Sequence, residues 1–458
     1  MAEPRPEVLA RLRKLLGEKG VREQPDDYMP DIVLKPASTE EVAGILRICS
    51  AAGQALVPMG GKTGLASGHF QTDGELGLSL ERMQAIEEID TENRTMTVQA
   101  GCILQVAAEA AEAHELLLPL DFGARGSATI GGNVATNAGG NMVIRYGMTR
   151  DMVLGLEVVL ADGTVVSNLN KMLKNNTGYD IRQWFIGAEG TLGVITRVVL
   201  RLRPQPKSQN TALLAVDDFA SVKSLLRFLD SRTAGTLSAY EEMWPEFYEY
   251  ITREGSVHKR PLPHGCAFYV LVETQGSDPR GDAERFETVL GEAMEEGLVS
   301  DAVLTRSQAE RNALWEIRDD VLELFKLGPF IPFDVSLTLE RMEPFVADIR
   351  AGMATHDDQI CIVFGHLGDG NLHVNLGNRQ AENFDYDALQ TLLYETVERY
   401  HGSVSAEHGI GLSKREQLHR SRSPEELQLM MGLKRMLDPQ NILNPNKIFS
   451  SAQLSAAH

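Results

Sequence analysis

Between Gly123 and Gly147 the chain reads GARGSATIGGNVATNAGGNMVIRYG, a stretch almost free of large side chains as far as Asn141. Such a segment has little apolar surface to bury, so its backbone must lie close against something else, either packed chain or a ligand. A shorter loop of the same kind, Pro58-Met59-Gly60-Gly61-Lys62-Thr63-Gly64-Leu65, follows a strand–helix–strand pattern over residues 31 to 57. There Ile32-Val33-Leu34 reads as a strand, and Ser38-Thr39-Glu40-Glu41 as a capping box with Ser38 at the cap. Ala55-Leu56-Val57 is the second strand, after Gly53. Amides in small-residue loops can wrap a pyrophosphate, and two such loops can hold opposite sides of a large cofactor. A tight structural turn accounts for one Gly-Gly pair but poorly for a run this long. The usual nucleotide signatures fail: no G-x-G-x-x-G occurs, and a phosphate loop ending in Gly61-Lys62-Thr63 would need its first glycine where Leu56 stands.

The 458 residues carry a net charge of −20, which repels phosphate backbones and anionic lipid and so excludes nucleic acid and polybasic membrane docking. With 43% hydrophobic residues the chain can fill at least two cores, and its length suggests up to three compact units at about 150 residues each. Cys49, Cys102, Cys266 and Cys361 stand singly, as reduced thiols in a cytoplasmic protein would. The first twenty residues have Leu9, Leu12 and Leu16 on one helical face and read as a first helix, not a signal peptide. Nowhere do 18 apolar residues run together, so no membrane span is expected.

Farther along, a helix is expected over Leu104 to His114, a hairpin over Leu156 to Val166 turning on Ala161-Asp162-Gly163-Thr164, and a strand over Gly193 to Leu202. Pro204-Gln205-Pro206 sets a first domain boundary, giving domains 1–206, 207–410 and a helical segment 411–458 that returns to the first. The middle domain reads as strand (TALLAV), helix (221–229), strand (237–241), then strand (267–273), helix (284–296) and strand (301–304). These two βαβ-type halves predict a ferredoxin-like antiparallel sheet. A long helix over Ala309 to Leu324 and a strand over Phe333 to Leu337 follow, so the fold class is α+β.

The sharpest local signal is Gly365-His366-Leu367-Gly368-Asp369-Gly370-Asn371-Leu372-His373-Val374-Asn375. A two-residue turn at Asp369-Gly370 would set His366 directly opposite His373, their Cβ atoms roughly 4.5–5.5 Å apart, with Asn375 on the same face. Two imidazoles that close can bind one divalent ion. Ser405-Ala406-Glu407-His408-Gly409 supplies a carboxylate, and His2Glu with an open fourth position suits catalytic zinc. Two satisfied core histidines and a surface glutamate are the plainer alternative.

Four motifs, PMGGKTGL, GARGSATIGGNVATNAGG, YGMTRDMVLGLEVVLADG and GAEGTLGVIT, together resemble the FAD-binding PCMH-type domain of the vanillyl-alcohol-oxidase-type flavoproteins. The rest of the chain, to about Phe449, is similar to their D-2-hydroxyacid dehydrogenase branch. The resemblance implies noncovalent FAD held by Pro58, Gly60, Gly61, Thr63, Gly64, Leu65, Gly131, Gly132, Thr136, Gly140, Gly147, Gly190, Ile195 and Asn446. It implies a metal, Zn²⁺ or a similar ion, on His366, His373 and Glu407, with His408 as base and Arg318 and Asn375 on the substrate. A 2-hydroxy acid could chelate that ion through its carboxylate and hydroxyl, His408 taking the hydroxyl proton as hydride leaves for the flavin. Dehydrogenases acting on 2-hydroxyglutarate typically carry a threonine four residues after that arginine and a lysine two before the strand aspartate. Here those positions are Leu322 and Pro332, beside Phe330, Ile331 and Phe333, which suits a smaller or more apolar acid such as D-lactate beside 2-hydroxyglutarate or D-malate. Two other functions share the FAD loops: an ether-lipid synthase type without net oxidation, and a non-catalytic subunit of a glycolate oxidase-like complex. Charge and hydropathy point to a soluble acceptor such as an electron-transfer flavoprotein, and a homodimer is expected.

Overall fold

The structure, a computed structural model, describes residues 6–23, 32–70, 74–353 and 358–456. The chain divides into two compact units, one of Met1–Gly140, Gly147–Gln205 and Glu407–His458, the other of Asn141–Tyr146 and Pro206–Ala406. Among the described residues no helix is long and apolar enough to cross a membrane.

The first unit opens on helix Pro6–Leu16, which buries Val8, Leu12 and Leu16. The i, i+4, i+8 stripe thus runs through Val8 where Leu9 was expected, and Leu9 sits partly buried at its edge. Met1–Arg5 of the expected helix, and Asp31 at the start of the family resemblance, lie outside the described residues. Helix Thr39–Ala52 begins as read: Ser38 Oγ accepts the Glu41 N–H at 3.2 Å, and Gly53 closes it at φ +63°. The Glu41 carboxylate reaches back one residue farther than a capping box requires, to the Ala37 N–H at 2.7 Å. Strands Ile32–Leu34 and Leu56–Met59 both run parallel to Leu76–Ser79, which lies between them. A five-stranded antiparallel sheet of Ile86–Asp90, Thr95–Gln99, Val194–Arg201, Val153–Val159 and Val165–Asn168 lies in the same unit, with the expected hairpin closing at Val159 and Val165. All seven residues of Val153–Val159 are buried.

The last fifty residues thread back into this unit. Leu443 forms a parallel bridge with Leu56, and Lys434 Nζ donates to Thr191 O and Leu443 O, both at 2.8 Å. Lys447 Nζ meets Glu75 at 3.0 Å with both side chains sealed from solvent.

The second unit is one seven-stranded sheet in the order Asp301–Leu304, Ser208–Val216, Phe268–Gly276, Leu237–Met243, Gln359–His366, Asn371–Asn378, Phe330–Ser336, every pair antiparallel. Met243, Leu271, Ile360, Ile362 and Phe364 pack on one face against Phe247, Tyr248, Ile251, Leu314 and Ile317. The helix expected to reach Leu324 stops at Asp319, and Val321–Lys326 tightens into a 3₁₀ turn. Two successive aspartates at its end oppose the negative pole of the helix and favour that stop.

Candidate active site

In the first unit the glycine loops converge on a cleft. Pro58, Gly60, Gly61, Thr63, Gly64, Gly131, Gly132, Thr136, Gly190 and Ile195 all line it, as does His408. The glycines are there for contact: a Cβ on Gly61 would stand 2.0 Å from Ser127 O, and one on Gly131 2.6 Å from the Ala100 Cβ. Thr129 Oγ1 caps helix Ile130–Thr136 at the Gly132 N–H, 3.2 Å away. Asn133 Nδ2, buried on a cleft-lining residue, has no hydrogen-bond partner among the described residues. Narrow walls of bare backbone and an amide awaiting an acceptor fit a large phosphorylated cofactor such as FAD. Burial, then the nearby Lys62 charge, pulls the His69 imidazole below its usual range, so this cleft histidine is neutral.

Four expected cofactor residues do not line the cleft. Leu65 is 64% exposed. Gly140 lies against the Asp121 backbone, and Gly147 turns at φ +79° against the Asp151 carboxylate. Asn446 caps Ser451 N–H at 3.1 Å and accepts from Arg415 on its carbonyl; Asn444, two residues earlier, lines the cleft and donates to Gly68 O and Glu189 O. Glu189, between glycine-motif residues and given no role by its sequence, lines it too.

In the second unit the histidine hairpin keeps its face but not its register. Phe364, not His366, stands opposite His373, because Leu367–Asp369 forms a 3₁₀ turn and only Gly370 takes a positive φ, +86°. A shift of two residues leaves side chains on the same side of the sheet. The two imidazole centroids are therefore 5.4 Å apart despite the altered pairing. Asn375 shares the face, its Nδ2 donating to Ile362 O at 3.2 Å, and Asp334 pairs across from His373.

A buried triad backs this pair. Glu241, opposite His366, accepts from His366 Nδ1 at 2.8 Å and from Arg318 at 2.8 Å. The Nδ1 bond to a carboxylate is the arrangement that orients a metal-ligating imidazole, while Nε2 lies 3.4 Å from the Arg318 guanidinium. Burial alone would raise the Glu241 carboxyl, but the charges of His366 and Arg318 and their hydrogen bonds outweigh it and hold it below the usual range. Arg318 is 3% exposed and lies over the Phe364 ring at 4.8 Å, so it is no solvated helix charge. Burial pushes the neighbouring Asp369 carboxyl up to about 6. The donor set of two imidazoles backed by a carboxylate fits a divalent ion such as zinc. Ala406 ends this unit with its N–H donating to Asp334 at 3.1 Å, and Glu407 begins the return segment of the first.

Comparison with known proteins matches the chain in two parts. A family model described as "FAD binding domain" matches residues 30–168, and one described as "FAD linked oxidases, C-terminal domain" matches 205–448. The chain is 42% identical over 418 residues to the D-2-hydroxyglutarate dehydrogenase, mitochondrial, of Bos taurus, covering 91% of this chain and 76% of that one. It is 40% identical over 435 residues to the D-2-hydroxyglutarate dehydrogenase of Xanthomonas citri pv. viticola, covering 92% and 90%. Solved structures of p-cresol methylhydroxylase (TM-score 0.77, 16% identity, 98% of this chain and 97% of that one) and an alkyldihydroxyacetonephosphate synthase (TM-score 0.74, 17%, 98% and 86%) share the fold.

Proposed function

From the premise that this chain belongs to the FAD-linked oxidases and is an FAD-dependent dehydrogenase of D-2-hydroxy acids, we propose that His408 is its catalytic base and that His366, His373 and Glu407 hold a divalent ion, zinc by donor type. The observation carrying the reading is Glu241: a buried carboxylate spends its two contacts on orienting His366 and Arg318. When bound, FAD, held by the two glycine loops, would supply the hydride acceptor, and the ion, held by His366, His373 and Glu407, would supply a Lewis acid. Arg318, fixed by Glu241, presents a guanidinium for the substrate carboxylate, and Asn375 offers an amide on the face of His373. His408 takes the hydroxyl proton, and the product is the 2-oxo acid. A soluble electron-transfer flavoprotein as acceptor, a cytoplasmic location and a homodimer complete the proposal, the first on the strength of the net charge of −20.

The relatives' name supports D-2-hydroxyglutarate as one substrate. A second, shorter or more apolar, is favoured by the sheet itself. Along strand Phe330–Ser336 the residues facing with His373 are Asp334, then Pro332, then Phe330, opposite His373, Asn375 and Gly377 in turn. A substrate chain leaving His373 along that row meets Pro332 about 7 Å on and Phe330 about 14 Å on. Neither can bind a second carboxylate, while Lys326 and Arg253 are paired with Glu323. Anaerobic bleaching of the flavin band by D and L 2-hydroxy acids, with and without chelation, tests both points. D-lactate should bleach faster than D-2-hydroxyglutarate, and chelation should abolish it. Bleaching by L acids, or none by any acid on FAD-loaded protein, sinks the reading; faster bleaching by hydroxyglutarate removes the apolar preference alone.

A further inference from the structure

We propose that Glu189 is a positioning residue for His408, clamping the backbone just after the base and so fixing where its imidazole stands in the cleft. Glu189 is itself pinned. Its backbone sits in the left-handed region at φ +52°, its N–H donates to Ala135 O at 2.8 Å, and its carbonyl accepts from Asn444 at 2.8 Å. Strain of that kind in a residue other than glycine persists only where surrounding bonds enforce it, and it concentrates at functional sites. From this fixed base the side chain reaches the return segment with both oxygens: Oε1 accepts the Ile410 N–H at 2.7 Å and Oε2 the Gly411 N–H at 2.8 Å.

The clamped chain has little room to stand elsewhere. Gly409 is at φ +79°, and a Cβ there would lie 2.8 Å from Glu189 Oε1. A Cβ on Gly411 would lie 1.9 Å from Ala66 O, the carbonyl that also accepts the Leu412 N–H at 3.0 Å. The backbone from 409 to 412 is thus held between Glu189 on one side and the first glycine loop on the other. Both walls belong to the cleft that His408 lines. Two backbone donors aimed at one side chain need two acceptors. A carboxylate supplies them and a carboxamide supplies one, turning its NH₂ against the other N–H.

The inference rests on His408 being the base. The test is Glu189→Gln, read by anaerobic flavin bleaching with whichever acid of the panel reduces the parent fastest, beside His408→Ala. The limiting reduction rate should fall about 10- to 100-fold, because a base misplaced by about 1 Å costs that order, while KM changes less than about threefold. FAD content and the flavin spectrum should match the parent. A Gln variant that reduces its flavin at the parental rate, or that loses activity in proportion to lost FAD, overturns the clamp. If it does not fold, Gly409→Ala decides on the same readout, since its methyl would push Glu189 off the loop; a folded, FAD-loaded Gly409→Ala at parental rate overturns it equally. Normal reduction by His408→Ala would remove the base reading itself, whereas a dead His408→Ala beside a normal Glu189→Gln removes only the clamp.

Discussion

Glu242 is a fully buried carboxyl whose two oxygens find no hydrogen-bond partner among the described residues. It lies one residue after Glu241 on strand Leu237–Met243, so it points to the other face of the sheet, away from His366 and Arg318. Burial drives its pKa well above the usual carboxylate range; Arg350 works against that rise and Glu343 with it. Arg350 is meanwhile committed to Glu246 at 2.8 Å. The folded chain therefore keeps a proton that the unfolded chain releases at about pH 4.3. Stability from this group is complete below that pH and declines as pH rises toward the folded pKa, by about 1.4 kcal/mol per pH unit within the window. For a body of about 200 residues that is about 3–5 °C of Tm per pH unit. Glu242→Gln keeps the shape and abolishes the titration. Thermal melts of parent and variant from pH 4 to 8, at matched ionic strength, should coincide near pH 4 and diverge above it, with the variant higher. A gap constant across that range, or a parent that melts higher at pH 8, would refute the assignment of Glu242 as a neutral buried acid.

Two further outcomes are expected. His373→Ala should lose bound metal, measured by elemental analysis, and turnover, while keeping the FAD spectrum; full metal stoichiometry would show that His373 is no ligand. Lys447→Ala should cost about 3–5 kcal/mol in denaturant unfolding, because it strips the cation from a buried pair with Glu75, and Lys447→Met with Glu75→Leu should recover most of that loss.

Much of the scaffold was legible because its signals are local. A run rich in β-branched and apolar residues gave the strand Val194–Arg201 within one residue at either end, and turn chemistry gave the hairpin that closes at Val159 and Val165. Ser38 and Gly53 marked both ends of their helix through bonds made within one turn of chain. What failed locally depended on neighbours. Leu9 satisfies the spacing of an apolar stripe as well as Val8 does, and only packing against the rest of the unit chooses between them. Asn444 and Asn446 are equally plausible cofactor-side asparagines in DPQNILNPNKIF, and which one faces the cleft depends on how the segment seats beside Leu56.

The histidine pair shows why a wrong local step can leave a site intact. The expected turn put both Asp369 and Gly370 at its centre; the chain spends two more residues, with a 3₁₀ turn over Leu367–Asp369 and a single left-handed Gly370. Because strand side chains alternate with period two, a two-residue slip changes partners without changing faces, and His366 and His373 still meet. A slip of one would have turned one imidazole away. The residues that sequence left silent are those that act through others. Glu241 sits in the run SAYEEM and Glu189 in GAEG, where nothing in either pattern separates a buried orienting carboxylate from a surface one. Their roles exist only as pairs: Glu241 with His366 across two strands, Glu189 with amides more than two hundred residues later. A sequence lists donors and acceptors, but only the fold decides which acceptor each long-range donor meets, so the groups that hold a base or a ligand in place are harder to find than the base or ligand themselves.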